Sequence, residues 1–114
     1  LYRLVFNLVE NAIRYSRTGS TVNVSICDND SHVFLRVEDQ GPGIPKQYRE
    51  SIFQPFFRLD KSRSRAYGGA GLGLALVWEI AALHGGTVEV EESSENGTTI
   101  LVSLPKRSAA LTEQ

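Results

Sequence analysis

Methionine is absent from the 114 residues, and cysteine occurs once, at Cys27. One cysteine excludes an internal disulfide and any cysteine-rich metal site, and it is compatible with a reducing cytoplasm. Histidine occurs only at positions 32 and 84. Neither His32 nor His84 has an acidic or cysteine partner at ligand spacing, and no Ser-His-Asp or Cys-His signature is present. Neither sign of charge dominates: 12 basic and 13 acidic residues leave a formal charge of -1. That removes a general basic field for nucleic acid or anionic lipid. No apolar run approaches the ~20 residues that span a bilayer, and no signal peptide is visible. Internal repeats and low-complexity blocks are lacking too.

What remains is ordinary globular composition, 41% hydrophobic and 22% charged, enough for one domain. Leu1 already lies in a helical pattern with no capping residue before it. The chain is therefore expected to be a fragment of a longer protein, cut inside or just before its first helix. The stretch "LVFNLVENAIRYS" predicts that helix, with Leu1, Val5, Leu8, Val9, Ala12 and Ile13 on a broad apolar arc. "TVNVSIC" and "HVFLRVED" alternate strictly and predict a hairpin, its core face formed by Val22, Val24, Ile26, Val33, Leu35 and Val37. "QGPGIP" is a breaker-rich loop, and "KQYRESIFQPFF" a short helix or turn ending near Pro55. "RLDKSRSRAYGGAGLG" reads as a mobile polar loop. Leu72 to His84 predicts a second long helix stopped by Gly85 and Gly86. "TVEVEE" and "TTILVSLP" are two further strands around the turn "SSENG", and residues 106–114 form a tail. Helix, two strands, loop, helix, two strands is the order of an α+β two-layer sandwich, helices on one face of a mainly antiparallel sheet.

Four motifs carry candidate chemistry. Asn7 and Asn11 sit one turn apart, with Arg14 beyond them, within about 60° of one helical face. Asparagine is a mediocre helix former. Amide oxygens suit a hard cation such as magnesium, and Arg14 suits a phosphate oxygen. The plainer alternative is that both amides bond neighbouring loops. "EDQGPGI" places Asp39 at a strand end, where a carboxylate accepts from an exocyclic amine such as adenine's; an Asp-Gly turn is the alternative. "GGAGLGL" puts Gly71 and Gly73 at the start of the second helix, where N–H groups favour anions, although it is not a Walker loop. In "IFQPFFR", Phe53, Phe56 and Phe57 suit anchoring to the core, and Arg58 suits a phosphate. Lys61, Arg63 and Arg65 are equally compatible with a solvated basic loop.

In this order and spacing the motifs resemble the catalytic, ATP-binding domain of a bacterial sensor histidine kinase. That domain shares a superfamily with DNA gyrase B and the ninety-kilodalton heat-shock chaperone. "NLVENAIRYS" is similar to the N box, "DQGPGI" to the first glycine box, "IFQPFFR" to the F box and "GGAGLGLAL" to the second glycine box; "LHGGTVEV" and "GTTILVSLP" also match. The likeness covers residues 1–105. It implies a Bergerat ATP-binding fold, N-terminally truncated, without the family's opening strand and phosphoacceptor helices.

The resemblance implies ATP and magnesium as ligands. Asn11 would be the main magnesium ligand with Asn7 beside it; Arg14 stands where a lysine near the phosphates is common, and Tyr15 would border adenine. Asp39 would bond the adenine amine, flanked by Gly41, Gly43 and Ile44. Arg58 would approach the terminal phosphate, Arg58 to Ala70 would form a lid, and Gly69, Gly71, Leu72, Gly73 and Leu74 would line the nucleotide. Ala70 replaces a hydroxyl residue often found there. The implied reaction is transfer of the ATP γ-phosphoryl group to a histidine on a separate dimerisation domain of the parent, with a response regulator downstream. Asn7 occupies the position of a glutamate that activates water in hydrolytic relatives, so slow hydrolysis is expected. A monomeric fragment, a homodimeric parent, a cytoplasmic domain of an inner-membrane protein and no nucleic-acid partner complete the expectations. An anti-sigma-type serine kinase and a non-catalytic ATP sensor are the competing readings.

Overall fold

The computed structural model describes residues 1–55 and 73–106. Helix α1, Tyr2–Tyr15, buries Leu4, Leu8 and Ala12, one residue per turn along a single stripe. This corrects the expected arc. Leu4 belongs to the core, whereas Leu1, Val5 and Ile13 lie at or beyond its margin, Ile13 being 61% exposed. The reason is that α1 seats over β2 and beside the second helix, so only a narrow stripe is covered.

Strands β1, Asn23–Asp28, and β2, His32–Asp39, form the expected antiparallel hairpin, with Val24 opposite Val37 and Ile26 opposite Leu35. Leu35 and Val37 are buried, as the alternation predicts. Val24 and Ile26 point to the same side but remain exposed, Ile26 by 70%. The sheet order β1-β2-β4-β3, with β3 at Thr87–Ser94 and β4 at Gly97–Pro105, explains this: β1 is an edge strand, and among the described residues no helix packs over it. Strand alternation identifies a face, but whether that face is covered depends on the neighbouring layer.

Two 3-10 turns, Lys46–Tyr48 and Ser51–Phe53, follow the glycine loop. Phe53 is buried and its ring lies 5.7 Å from Trp78, so it anchors this segment as expected. Phe56 and Phe57 lie outside the described residues. Helix α2, Gly73–Leu83, is apolar nearly all round; Val77 and Ala81 face the core, and it packs against α1. It ends where predicted, with the Gly86 N–H donating to the Ala81 carbonyl at 2.8 Å.

Strands β3, Thr87–Ser94, and β4, Gly97–Pro105, make a tight hairpin with an irregularity between Val90 and Glu92. β4 pairs with both β2 and β3, so Ile100 and Val102 sit at the centre of the core. Lys106 is tied back by its backbone N–H to the Ser31 carbonyl and by its ammonium to Asp28, 2.6 Å away. The rest of the expected tail lies outside the described residues. The result is the expected two-layer α+β sandwich, helices on one face of a four-stranded antiparallel sheet. Among the described residues no helix is long and apolar enough to cross a membrane.

Candidate functional site

The polar edge of α1 faces the start of α2. The Asn7 amide donates Nδ2–H to the Arg3 carbonyl at 2.7 Å, one turn back along its own helix. Such back-bonding satisfies the donor and leaves Oδ1 as the outward oxygen. A Cβ added at Gly73 would stand 3.7 Å from Asn7 Oδ1, so α2 begins directly beside that oxygen. Asn11 is half-buried one turn on. The N-terminal end of α2 favours negative charge, because its first N–H groups lack helical partners. The Asn7 amide oxygen and an anion-favouring helix end thus lie side by side.

Arg14 reaches back to Glu10 at 3.6 Å, and both side chains are more than a third exposed. Such an exposed pair contributes less than about 1 kcal/mol. Tyr15 closes α1, and Ile44 and Leu74 pack as half-buried apolar groups against the core cluster.

Asp39 ends β2 and is 9% exposed. Its Oδ1 accepts the N–H of Gly41 at 2.9 Å and of Thr98 at 3.3 Å. Burial pushes its carboxyl above the usual carboxylate value; the two backbone donors oppose that shift, and the Glu38 charge adds to it. Both of these backbone donors use Oδ1.

The glycines beside Asp39 have a packing role that sequence reading missed. A Cβ at Gly41 would collide with the Tyr15 carbonyl oxygen, and one at Gly43 (φ +87) with the Ser94 carbonyl. The loop is thus wedged between the end of α1 and the β3–β4 hairpin. Gly97 (φ +148) similarly abuts the Asp39 carbonyl. Gly97→Ala is expected to destabilise the domain by about 2–4 kcal/mol, since it meets both backbone strain and a backbone clash. Urea unfolding of the variant checks this; a midpoint shift corresponding to under about 0.5 kcal/mol would contradict it.

The structure places Asn7 beside Gly73, and Tyr15 beside Gly41 and Asp39; Asn11 and Arg14 lie on α1 between Asn7 and Tyr15, Gly43 abuts Ser94, and Ile44 and Leu74 pack against the core. Arg58, Gly69, Gly71, Leu72 and the expected lid lie outside the described residues. Thr98 was not singled out from the sequence; only the pairing of Asp39 with Thr98 in the sheet register reveals it. The opposite face of the sheet carries a polar depression of about 440 Å³ around Arg36 and Glu91. There the Arg36 side chain, hydrogen-bonded to Glu91 at 2.8 Å, holds the Glu91 carboxyl below its usual value. None of the predicted site residues lies in that depression.

Residues 1–108 match the family model of the histidine kinase-, DNA gyrase B- and HSP90-like ATPases. Over 106 residues the chain is 42% identical to the sensor-like histidine kinase SenX3 of Mycolicibacterium smegmatis, covering 93% of this chain and 28% of that protein. It is 48% identical over 103 residues to the sensor protein RstB of Escherichia coli K12, covering 90% of this chain and 23% of that protein. Among solved structures, the mycobacterial sensor histidine kinase MprB superposes with a TM-score of 0.78 at 38% identity, covering 92% of this chain and 69% of that one. Full-length ShkA in complex with AMPPNP superposes with a TM-score of 0.80 at 30% identity, covering 94% of this chain and 21% of that one. The chain thus spans about a quarter of the length of these curated relatives. It belongs to the histidine kinase-, DNA gyrase B- and HSP90-like ATPase family, as a catalytic ATP-binding domain of the sensor histidine kinase type.

Proposed function

We propose that this domain binds ATP in the cleft between α1, α2 and the loop after β2, and passes its γ-phosphoryl group to a histidine on another domain of the same parent protein. The buried Asp39 carboxylate carries this reading. A desolvated acid at a strand end costs stability unless a ligand uses it, and an acceptor-only carboxylate selects a purine bearing an amine over one bearing a carbonyl. Asp39 would hold adenine, with Tyr15, Gly41, Gly43, Ile44 and Leu74 around the base and sugar. Gly69, Gly71, Leu72 and Gly73 would offer N–H groups to the phosphates, with Arg14 nearby.

Magnesium fits the donor set. Among the described residues no group of three or more His, Cys, Asp or Glu gathers as ligands. Two amide oxygens, with phosphate oxygens and water, suit this ion. Asn11 and Asn7 would hold it, and when bound it would offset triphosphate charge. The chain's own contribution is positioning and charge neutralisation, as phosphoryl transfer requires. Arg58 would act on the terminal phosphate. A histidine imidazole nitrogen bonds the γ-phosphorus as the bond to the β-phosphate oxygen breaks; ADP leaves and the imidazole loses its proton. Asn7, an amide, does not serve as a base for water, which keeps hydrolysis slow.

The proposed partners are the parent's dimerisation and phosphoacceptor domain, a downstream response regulator and a second copy of the parent, with no nucleic acid. The parent is proposed to be anchored in the bacterial inner membrane, with this domain on the cytoplasmic side. Labelled ATP tests the reaction. Alone, the chain should bind ATP and label itself negligibly. With the parent's histidine domain added separately, it should give acid-labile label on that domain, weakly, because separation removes the effective concentration of a tether. Acid-stable label on serine, or strong labelling of the isolated chain, would contradict the proposal.

A further inference from the structure

Two arginines that the nucleotide reading does not use grip the two ends of the glycine loop. Arg17, just past α1, donates Nη1–H to the Gln40 carbonyl at 2.8 Å and Nη2–H to the Glu95 carbonyl at 2.7 Å. Arg49, after the first 3-10 turn, donates Nε–H to the Ile44 carbonyl at 3.1 Å and Nη2–H to the Ser93 carbonyl at 3.1 Å. Each guanidinium therefore ties one loop end to the backbone of the β3–β4 hairpin. We propose that Arg17 and Arg49 are positioning residues that clamp residues 40–44 against this hairpin and so hold the adenine-facing side of the site in its binding geometry before nucleotide arrives. The inference rests on the nucleotide reading of that cleft.

The clamp connects to Asp39 through bonded atoms. The Ile44 N–H donates to Ser93 Oγ at 2.7 Å, and Ser93 Oγ shares a hydrogen bond with Thr98 Oγ1 at 2.8 Å. The Thr98 N–H then donates to Asp39 Oδ1. Arg49 fixes both ends of the first link, since it holds the carbonyls of Ile44 and Ser93 together. Two carbonyls from different segments suit a planar fork; a lysine, with one ammonium on a flexible stem, does not reproduce that grip. The loop has reason to need it, because Gly41 and Gly43 give an unclamped chain many alternative conformations. When only a fraction of molecules holds the competent loop, apparent affinity falls by that fraction.

The test uses Arg17→Ala, Arg49→Ala and Arg49→Lys in the full chain, well below each variant's melting temperature. ADP with magnesium is the probe, and calorimetry and stopped-flow are the readouts. Each alanine variant should bind ADP about fivefold more weakly, chiefly through slower association, with the ratio of affinities with and without magnesium unchanged. Arg49→Lys should fall between wild type and Arg49→Ala. Without ligand, the Ile44 amide should exchange its hydrogen at least about tenfold faster in Arg49→Ala, as the carbonyls flanking its acceptor separate. A residue that served global stability alone would lower the melting temperature and leave these readouts unmoved. Variants that fold and match the wild type in ADP affinity, while the wild type binds ADP, would overturn the clamp and leave the nucleotide site standing. A wild type that binds neither ADP nor ATP would overturn the site itself. Should Arg49→Ala fail to fold, Arg49→Lys and the exposed Arg17→Ala still decide the question.

Discussion

Asp39→Asn is expected to raise the melting temperature of the nucleotide-free domain at pH 7 by roughly a few degrees while weakening ATP binding about 100-fold. Asparagine is isosteric, and its oxygen accepts the same N–H groups of Gly41 and Thr98, so the loop geometry survives. Only the buried charge is lost. Burial raises the Asp39 carboxyl above its ordinary value, so the native state holds that proton more tightly than the unfolded chain does. Stability is therefore greatest with Asp39 neutral. It falls as pH rises from the unfolded value through the raised native one, and stays lower above both. The gain from Asp39→Asn should thus be absent at acid pH, where both side chains are neutral, and complete at neutral pH. For binding the sign reverses: an adenine amine needs an acceptor, and the asparagine NH₂ opposes it with a donor. Wild-type ATP affinity should accordingly rise with pH through the Asp39 titration, and the variant's should be flat. Scanning calorimetry and titration across pH check both halves. A variant less stable than wild type at pH 7 would contradict the cost of the buried charge, and one binding ATP equally well would remove Asp39 from adenine recognition.

Asn11→Ala is expected to abolish the magnesium-dependent tightening of ATP binding, bringing the affinity ratio with and without magnesium close to one. Magnesium takes few protein ligands at a triphosphate site, so losing one amide oxygen has a large effect. The fold should remain intact and gain slightly, since alanine is the better helix former by about 0.5 kcal/mol. Asn11 is half-buried and lies outside the stripe of Leu4, Leu8 and Ala12. Titrations of ATP in magnesium and in EDTA, with circular dichroism as the control for folding, decide the matter. A variant that unfolds, or one that binds as before with the magnesium effect retained, would favour a purely structural asparagine.

These two predictions share a signature, lost binding with unchanged or improved stability, and that signature explains what was legible in the sequence. Asn7, Asn11 and Asp39 stand out because each breaks a local rule: amides inside a helix, and a carboxylate at the inner end of a strand. Such violations are visible without coordinates. The alternation of β2 and the apolar course of α2 are equally local, and both agree with the structure. What could not be read depends on neighbours. The exposure of Ile26 follows from β1 being an edge strand on which none of the described helices packs. The shift of the α1 core stripe to Leu4 follows from where α1 seats. Gly41 and Gly43 were recognisable as loop residues, but their collision partners, Tyr15 and Ser94, come from distant parts of the chain. Arg17 and Arg49 carry no sequence signal at all; charged residues in polar loops are ordinary, and only the carbonyls they bridge distinguish them.

The most direct test of ATP binding in this cleft is a crystal structure of the chain with a non-hydrolysable ATP analogue and magnesium. The adenine amine is expected at Asp39 Oδ2, directly or through one water, the metal on the Asn11 side-chain oxygen with Asn7 adjacent, and the phosphates at the start of α2. Nucleotide bound elsewhere, or bound in this cleft with its adenine amine turned away from Asp39 and its metal away from α1, would contradict it.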